Sequence, residues 1–193
     1  MDWEGRRTLF YMSFPAKTGA EAILKVALKI VEKEGWEALS MRSIGLALGV
    51  RASSLYHHYR DKGAIEGALG ELASRVLLCA MTLAAGRKKG RVRLVAMADA
   101  YVAFARENAA LYQLLAARRS ASDEQAEGTA LWEFLLDGVG QVTGNPRDTA
   151  AAIALWSFLH GLIALEAAGK FDGRGWKGGY ERGLSAILAG LIR

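Results

Sequence analysis

The stretch Ser40 to Lys62, SMRSIGLALGVRASSLYHHYRDK, has the residue order of two short helices joined by a tight turn. Ser40 can cap the first helix with its hydroxyl group, and Gly49 can end that helix in the left-handed conformation that glycine adopts without strain. Leu55 and Tyr59 are four residues apart and give the second helix an inward face. The spacing therefore predicts a helix-turn-helix.

The first helix of this pair carries its small and apolar residues at helical spacing. Ile44, Ala47 and Leu48 recur along one face. We expect Ala47 to lie where the two helices cross, because a small side chain lets two helix backbones approach closely.

The outward face of the second helix is polar and cationic. It carries Ser53, Tyr56, His57 and Arg60 at offsets of three, four and seven residues. From Ser40 to Arg60 the chain has three arginines, two histidines and no carboxylate, so no acidic group in this stretch would repel a phosphate backbone. Any amphipathic helix pair with a glycine turn could show the same periodicity, but these residue types favour DNA binding.

This whole string resembles the N-terminal domain of the TetR/AcrR family of transcriptional regulators. The family pattern runs T-x-R-x-I-A-x-x-x-G-V-S-x-x-x-L-Y-x-H-F with a lysine a few residues on, and the resemblance extends from Thr18 to about Leu69. In this chain the corresponding places hold Met41, Arg42, Ile44, Gly49, Val50, Leu55, Tyr56, His58, Tyr59 and Lys62. The resemblance implies a three-helix domain that contacts DNA through Arg42, Ser53, Ser54, Tyr56, His57 and Lys62.

Arg51 departs from the family pattern, which usually has a serine there to cap the second helix. A cation at a helix N-terminus opposes the helix macrodipole. A nearby phosphate would remove this penalty, so we expect Arg51 to contact DNA rather than to cap the helix.

Composition narrows the class of protein. The net charge of +5 favours an acidic partner, either nucleic acid or an anionic membrane. The one cysteine, Cys79, excludes an intramolecular disulfide and suits a reducing cytosol. It lies in an apolar helical run, where we expect a packed thiol. The apolar hexamer Leu9 to Phe14 is shorter than the core of a signal peptide, so we expect a cytoplasmic protein.

Helical periodicity without any strand pattern predicts an all-α fold. We expect a mobile arm over residues 1–17, a helix-turn-helix domain over 18–62, a linking helix over 63–85 and an effector-binding and dimerisation domain over 86–193. The most apolar stretch, Ala150 to Leu165, is about sixteen residues long, short of the roughly twenty that a membrane span needs. It therefore predicts a buried helix and no membrane partner.

Trp156 to Gly161 has the pattern W-x-x-x-H-G, which resembles the signature of one group of TetR-like ligand-binding domains. The resemblance implies a helical domain that binds an effector and forms a dimer. Trp156 and His160 are four residues apart and lie on one helix face. An apolar pocket needs aromatic and aliphatic walls with a few polar groups. The candidates, each of which could instead be ordinary core, are Met97, Tyr101, Phe104, Tyr112, Trp132, Trp156 and His160.

The last two long helices predict a twofold homodimer. The run from Ile153 to Leu165 is apolar nearly all round, so the core of one chain can cover only part of it. The final helix has a leucine-rich stripe, and Gly161 and Ala164 permit close helix approach. The expected interface residues are Leu155, Leu159, Leu162, Leu184, Ile187, Leu188 and Leu191. The alternative is that both helices pack only within their own chain.

Together these features predict a ligand-responsive transcriptional regulator, and more specifically a repressor. We expect a dimer that binds a palindromic DNA operator and is released by a small apolar or aromatic effector. An enzyme is disfavoured, because the chain lacks G-x-S-x-G, H-E-x-x-H and paired cysteines. His57 and His58 diverge by about 100° on a helix and cannot chelate one ion together, so we expect no metal and no cofactor. An architectural DNA binder without an effector is the remaining alternative.

Overall fold

A computed structural model describes residues 19–117 and 126–191, with side chains over 19–116 and 130–191. This part of the chain forms nine α-helices, one short 3₁₀ helix at Trp36–Ala38 and no strand, which confirms the all-α prediction. The α-helices are α1 (Ala20–Glu34), α2 (Met41–Leu48), α3 (Ala52–Leu55), α4 (Lys62–Ala85), α5 (Gly90–Glu107), α6 (Ala109–Ala117), α7 (Ala126–Thr143), α8 (Thr149–Ala167) and α9 (Trp176–Leu191). The predicted arm over 1–17 lies outside the described residues.

The chain divides into two compact units, one ending at Leu72 and the other beginning at Ala73. This boundary falls inside α4, a single helix of 24 residues. The stretch predicted as a linking helix, 63–85, lies entirely within α4, which begins one residue earlier.

The first unit packs its short helices around a small apolar core. Helix α2 lies against both α1 and α3. Tyr59 turns back toward the start of α1, where its hydroxyl group is 3.5 Å from the Ala20 carbonyl oxygen. The buried side chains are Ile23, Ala27, Leu28, Ile30, Val31, Leu39, Met41, Ile44, Leu55, Ile65, Leu69 and Leu72. This core holds the helix pair in place.

Local chemistry fixes both ends of α2 as predicted. The Ser40 hydroxyl oxygen accepts a hydrogen bond from the Ser43 backbone N–H at 3.0 Å, and the Ser43 hydroxyl oxygen accepts one from the Ser40 N–H at 3.0 Å. Gly49 ends the helix with φ 69° and ψ 27°. Because glycine adopts this left-handed region without strain, the turn into α3 needs a glycine at this position.

The crossing of α2 and α3 is made by Gly45 and not by Ala47. A Cβ atom added at Gly45 would lie 3.0 Å from the Val50 carbonyl oxygen and 3.2 Å from the Ala52 nitrogen. Ala47 is exposed. The prediction for Ala47 is wrong because both residues are small, and periodicity alone does not say which of them faces the neighbouring helix.

The second unit is a helical bundle organised around α5. Helix α5 packs against α6, α7 and α8, and α8 also packs against α7 and α9. Phe158 of α8 covers Gly183 of α9 so closely that a Cβ atom at Gly183 would overlap the phenyl ring. The larger buried side chains are Leu77, Met81, Leu94, Met97, Val102, Phe104, Leu111, Tyr112, Leu136, Val139, Leu155, Leu159, Ile163, Tyr180, Leu184 and Leu188.

Helix α8 leaves one apolar face exposed in a single chain. It has 19 residues, and the side chains of Ile153, Trp156 and Leu165 are 48%, 46% and 48% exposed. By length and hydropathy alone, α4 and α8 could each cross a membrane, a property that they share with core helices of soluble proteins. The prediction of a buried helix is therefore wrong for one face of α8.

Cys79, on α4, is exposed rather than packed. Leu77 and Met81 on the same helix are buried. Because the run around Cys79 is apolar on several sides, its composition does not determine which side chains point inward, and the prediction of a packed thiol is wrong.

Candidate functional site

Most of the predicted DNA-contacting side chains lie on the segment after Gly49 and are exposed to solvent. Leu55 is only 2% exposed and anchors this segment in the core of the first unit. Its burial turns the neighbouring side chains outward. The exposed predicted contacts are Arg42, Arg51, Ser53, Ser54, Tyr56 and His57.

The second helix of the pair is shorter than its periodicity suggests. Helix α3 ends at Leu55, and the backbone N–H groups of His58 and Tyr59 both donate to the Leu55 carbonyl oxygen, at 2.9 and 3.0 Å. Tyr59 is half-buried, and burial raises the pKa of its phenol, with a further contribution from the Glu71 and Glu21 carboxylates. The inward face therefore persists beyond the regular helix.

Arg51 stands at the N-cap position of α3 without capping it. Its backbone is extended, with φ −70° and ψ 140°, and its side chain makes no cap hydrogen bond. The side chain is exposed and forms no ion pair with any of the described residues. This arrangement fits the prediction of a phosphate contact, which stays a prediction.

Lys62, the remaining predicted DNA contact, has partners within its own unit. Its ammonium group donates to the Trp36 carbonyl oxygen at 3.1 Å and lies 3.5 Å from a Glu66 carboxylate oxygen. The side chain keeps 40% exposure. Lys62 therefore ties the start of α4 to the 3₁₀ helix, and a DNA contact would be a second use of the same ammonium group.

Asp61 supplies the first carboxylate after the cationic stretch. One of its carboxylate oxygens accepts a hydrogen bond from the Ala64 backbone N–H at 2.8 Å, which caps α4. The other lies 3.2 Å from the Arg60 guanidinium. Both oxygens are thus used by the chain itself at the edge of the candidate DNA surface.

The second unit brings together five of the predicted effector-pocket residues. The hydroxyl oxygen of Tyr112 lies 2.7 Å from Nδ1 of His160 and 3.2 Å from the hydroxyl oxygen of Tyr101. The Trp156 ring centroid is 6.4 Å from that of Trp132 and 6.2 Å from that of His160. We refer to Tyr101, Tyr112, Trp132, Trp156 and His160 as the aromatic–imidazole cluster.

Burial further disfavours ionisation of both phenols in this cluster. Burial raises the pKa of Tyr101, and hydrogen bonds with Tyr112 and Trp156 offset this only in part. Burial also raises the pKa of Tyr112 well above its usual range, and the Tyr101 phenol adds to the effect. Both hydroxyl groups carry a proton at neutral pH, as an ordinary tyrosine does, and the raised pKa values extend that state to higher pH.

Met97 and Phe104, the other two predicted pocket residues, are buried in the second unit. They are 1% and 2% exposed. Met97 packs against Gly138 of α7, where an added Cβ atom would lie 2.8 Å from its sulfur. Their assignment to the pocket stays a prediction, because low exposure alone does not distinguish the wall of an enclosed pocket from a close-packed core.

An open groove of about 500 Å³ between α5 and α9 was not predicted. Within it the Tyr180 hydroxyl group donates to an Asp99 carboxylate oxygen at 2.5 Å. Burial, together with this carboxylate, raises the pKa of Tyr180 above its usual range. The groove also carries charges of both signs from Arg91, Lys177 and Glu181. The sequence signal that could have indicated this groove is Asp99, an acidic residue within the apolar run of α5.

The predicted dimer-interface residues mostly point into their own chain. Four of them are at most 5% exposed, namely Leu155, Leu159, Leu184 and Leu188. The other three are half-buried, namely Leu162, Ile187 and Leu191. The four buried leucines fill the core of a single chain, so their assignment to a partner contact is wrong.

The outer face of α8 instead carries small residues between larger apolar ones. Ser157 and Ala164 are exposed, and a Cβ atom at Gly161 would meet open space. Ile153 and Leu165 flank this stripe. The exposed residues of α9 include a similar small set, namely Ser185, Ala186, Ala189 and Gly190.

Two family models cover most of the chain. Residues 23–69 match the model described as bacterial regulatory proteins, tetR family. Residues 94–190 match the model described as tetracyclin repressor-like, C-terminal domain. The matches do not address the W-x-x-x-H-G resemblance, which stays a prediction. Among the described residues, no group of three or more side chains could hold a metal ion.

Two relatives and one solved structure extend these matches. The uncharacterized HTH-type transcriptional regulator YobS of Bacillus subtilis is 30% identical over 155 residues, which are 78% of this chain and 80% of YobS. The uncharacterized HTH-type transcriptional regulator Rv0681 of Mycobacterium tuberculosis is 27% identical over 163 residues, 82% of this chain and 74% of Rv0681. The crystal structure of PfmR, a TetR family transcriptional regulator from Thermus thermophilus, has a TM-score of 0.63 at 26% identity and covers 89% of this chain and 99% of PfmR.

Proposed function

Because the chain belongs to the TetR family of bacterial transcriptional regulators, and is therefore a DNA-binding helix-turn-helix protein, we propose that it is a repressor released by a small effector. The family and the relatives are regulators of transcription and not enzymes. In the proposed mechanism a cytoplasmic homodimer binds a palindromic operator. A small apolar or aromatic compound then lowers its affinity for that operator.

The exposed polar segment around α3 is the observation that carries the DNA-binding proposal. Two exposed arginines, Arg42 and Arg51, precede it in the chain, and no carboxylate occurs between Arg42 and Asp61. Phosphate contacts position a protein on DNA, and base-edge contacts provide specificity. We assign phosphate contacts to Tyr56 and Lys62, and sequence preference to Arg42 and the Ser53 to His57 face.

A second copy of the chain is the proposed partner of the outer faces of α8 and α9. The stripe of Ser157, Gly161 and Ala164 lets two helices approach closely, and Ile153 and Leu165 add apolar area beside it. A twofold dimer presents two α3 segments to a palindromic site at the spacing of the groove repeat. Specific binding therefore needs the second copy.

The aromatic–imidazole cluster is the proposed place of the effector. It combines aromatic walls with a few converging polar groups, as small-molecule sites do. Coupling between effector and operator is typically worth about 1–3 kcal/mol, and each must weaken the other by the same factor. An architectural DNA binder would show no such reciprocal weakening, which separates the two functions.

Two substitutions distinguish the proposed base contact of Arg42 from the proposed phosphate contact of Lys62. Arg42→Ala is expected to narrow the affinity gap between operator and random DNA by about tenfold, because a base contact is worth about 1–3 kcal/mol. Lys62→Ala is expected to weaken both DNAs alike and to lower the slope of log affinity against log salt by about one. Fluorescence anisotropy at several salt concentrations measures both effects, with an operator selected from random-sequence DNA.

Lys33→Ala is the matched control, because Lys33 is an 82% exposed lysine on α1 with no proposed role. Its DNA binding is expected to equal that of the unmodified chain. Lys62 also bonds to Trp36, so the melting temperature of each variant is measured alongside. Equal losses on operator and random DNA for Arg42→Ala would contradict a base-reading role.

A further inference from the structure

The open groove between α5 and α9 lies where these two helices run in opposite directions. The Arg106 guanidinium group is 4.5 Å from the ring centroid of Trp176, and the Tyr180 hydroxyl group donates to Asp99 at 2.5 Å. A step forward along α9, from Trp176 to Tyr180, therefore corresponds to a step backward along α5, from Arg106 to Asp99. Arg91 comes earlier still on α5, so it lies at the opposite end of the groove from Trp176.

Two opposite charges in this groove have no ion-pair partner among the described residues. Lys177 and Glu181 lie 4.0 Å apart at helical spacing on α9, so each offsets the charge of the other. Neither Asp99 nor Arg91 forms an ion pair within the part of the chain that the structure describes. Eight residues separate these two on α5, which is about 12 Å along the helix axis.

The stretch between the two charges is apolar. Val95 lies midway between Arg91 and Asp99 on α5, and Leu184 and Leu188 of α9 line the same groove. The volume of about 500 Å³ is within the range of small-molecule sites. The groove therefore offers an acidic end, an apolar middle and a basic end.

The acidic end is held in place by residues that do not use up its charge. Tyr180 is buried, and its hydroxyl group donates to one oxygen of Asp99. Arg106 covers the Trp176 ring but pairs with the Glu166 carboxylate at 3.2 Å. Because Glu166 balances the charge of Arg106, the Asp99 carboxylate stays available to a cation from outside the chain.

We infer that this groove binds an elongated zwitterion, with its amine at Asp99, its carboxylate at Arg91 and an unbranched apolar chain between them. An ammonium group has three N–H donors for carboxylate oxygens, and a guanidinium group binds a carboxylate through two parallel N–H groups. A ligand with only one charge leaves one end of the groove without its partner. The groove shares no residue with the aromatic–imidazole cluster, so this site is additional to the proposed effector site and does not rest on it.

Four linear probes test the need for both charges and for the length between them. ω-Aminooctanoate carries an amine and a carboxylate at its two ends, octylamine carries only the amine, and octanoate carries only the carboxylate. ω-Aminobutanoate carries both groups but is too short to reach both ends. In ligand-observed NMR titrations of the full chain, ω-aminooctanoate is expected to bind about fivefold more tightly than each of the others, the scale of one partly exposed charge pair.

Variants assign each end of the ligand to one residue. Asp99→Asn keeps an oxygen acceptor for the Tyr180 hydroxyl group but removes the charge. It is expected to weaken octylamine and ω-aminooctanoate about fivefold without weakening octanoate. Arg91→Gln is expected to weaken octanoate and ω-aminooctanoate by the same factor without weakening octylamine. Arg182→Gln, the control, removes an exposed cation of α9 that does not line the groove and is expected to change none of the affinities.

Three results would overturn the inference. The first is that ω-aminooctanoate does not bind, or binds no more tightly than a probe with one charge. The second is that Asp99→Asn or Arg91→Gln, with the melting temperature of the unmodified chain, weakens octylamine and octanoate alike. The third is that Arg182→Gln lowers the affinity for ω-aminooctanoate as much as Arg91→Gln does.

Discussion

Gly45→Leu is expected to abolish sequence-specific DNA binding. Backbone atoms of Val50 and Ala52 lie 3.0–3.3 Å from the position that a Cβ atom would take, so a larger side chain must push α3 away from α2. Overpacking of this kind typically costs about 1–3 kcal/mol of stability. The displaced segment also loses base contacts worth about 1–3 kcal/mol each. Two lost contacts correspond to an affinity loss on the order of 100-fold or more.

Ala47→Leu is the matched control, because Ala47 is exposed on the same helix. It is expected to keep the DNA affinity and the melting temperature of the unmodified chain. Gly45→Ala is expected to be nearly neutral, since the gain of about 1 kcal/mol in helix propensity offsets a small backbone shift. Anisotropy and circular dichroism measure the three variants. If Ala47→Leu lowered the DNA affinity and the melting temperature while Gly45→Leu changed neither, the crossing of α2 and α3 at Gly45 would be refuted.

Leu188→Glu and Ile153→Glu are expected to have different effects, the first on the fold of the second unit and the second on the proposed dimer. Leu188 is 1% exposed in a single chain, so Leu188→Glu buries a carboxylate without a partner, at a cost of several kcal/mol. The second unit is expected to lose its fold. Ile153 is 48% exposed, so Ile153→Glu is expected to leave the fold intact and to break the proposed dimer.

Thermal melting followed by circular dichroism and sedimentation equilibrium separate these outcomes. Leu188→Glu should lose cooperative melting of the second unit at every protein concentration. Ile153→Glu should sediment as a monomer that melts cooperatively. Its operator affinity should fall on the order of 100-fold or more, because linked half-sites gain that much from binding together. An Ile153→Glu variant that sediments as the same dimer as the unmodified chain would place the interface elsewhere.

Features that depend on a few neighbouring residues were predictable from the sequence. The Ser40 cap, the left-handed Gly49 and the inward Leu55 all follow from local hydrogen bonding, backbone freedom and helical spacing. The structure confirms each of them. The choice between Gly45 and Ala47 was not predictable in this way, because it depends on the direction from which α3 approaches.

The sequence also does not determine which face of α8 is buried. A helix that is apolar on every side has no hydrophobic stripe to orient it. Leu155 and Leu159 therefore looked as suitable for a partner as Ile153, although the first two fill the core and the third is half exposed. Only the packing of α5, α7 and α9 around α8 decides which face stays open.

The aromatic–imidazole cluster was predictable in part. Helical spacing places Trp156 and His160 on one face, and their rings are 6.2 Å apart. The hydrogen bond between Tyr112 and His160 joins residues 48 positions apart, and no local pattern specifies it. Met97 has the same apolar character as a pocket wall but packs against Gly138 of α7. Long-range packing therefore determines which of the predicted pocket residues contact one another.

The exposed thiol of Cys79 gives the unmodified chain a single point for attaching a spectroscopic probe. The sequence has one cysteine, so a nitroxide label reacts at one place on α4 without any substitution. In the proposed homodimer the two labels define one distance between the copies, which pulsed electron resonance measures directly. Titrating the labelled protein with operator would then report, as a change in that distance, whether DNA binding favours a different arrangement of the two copies.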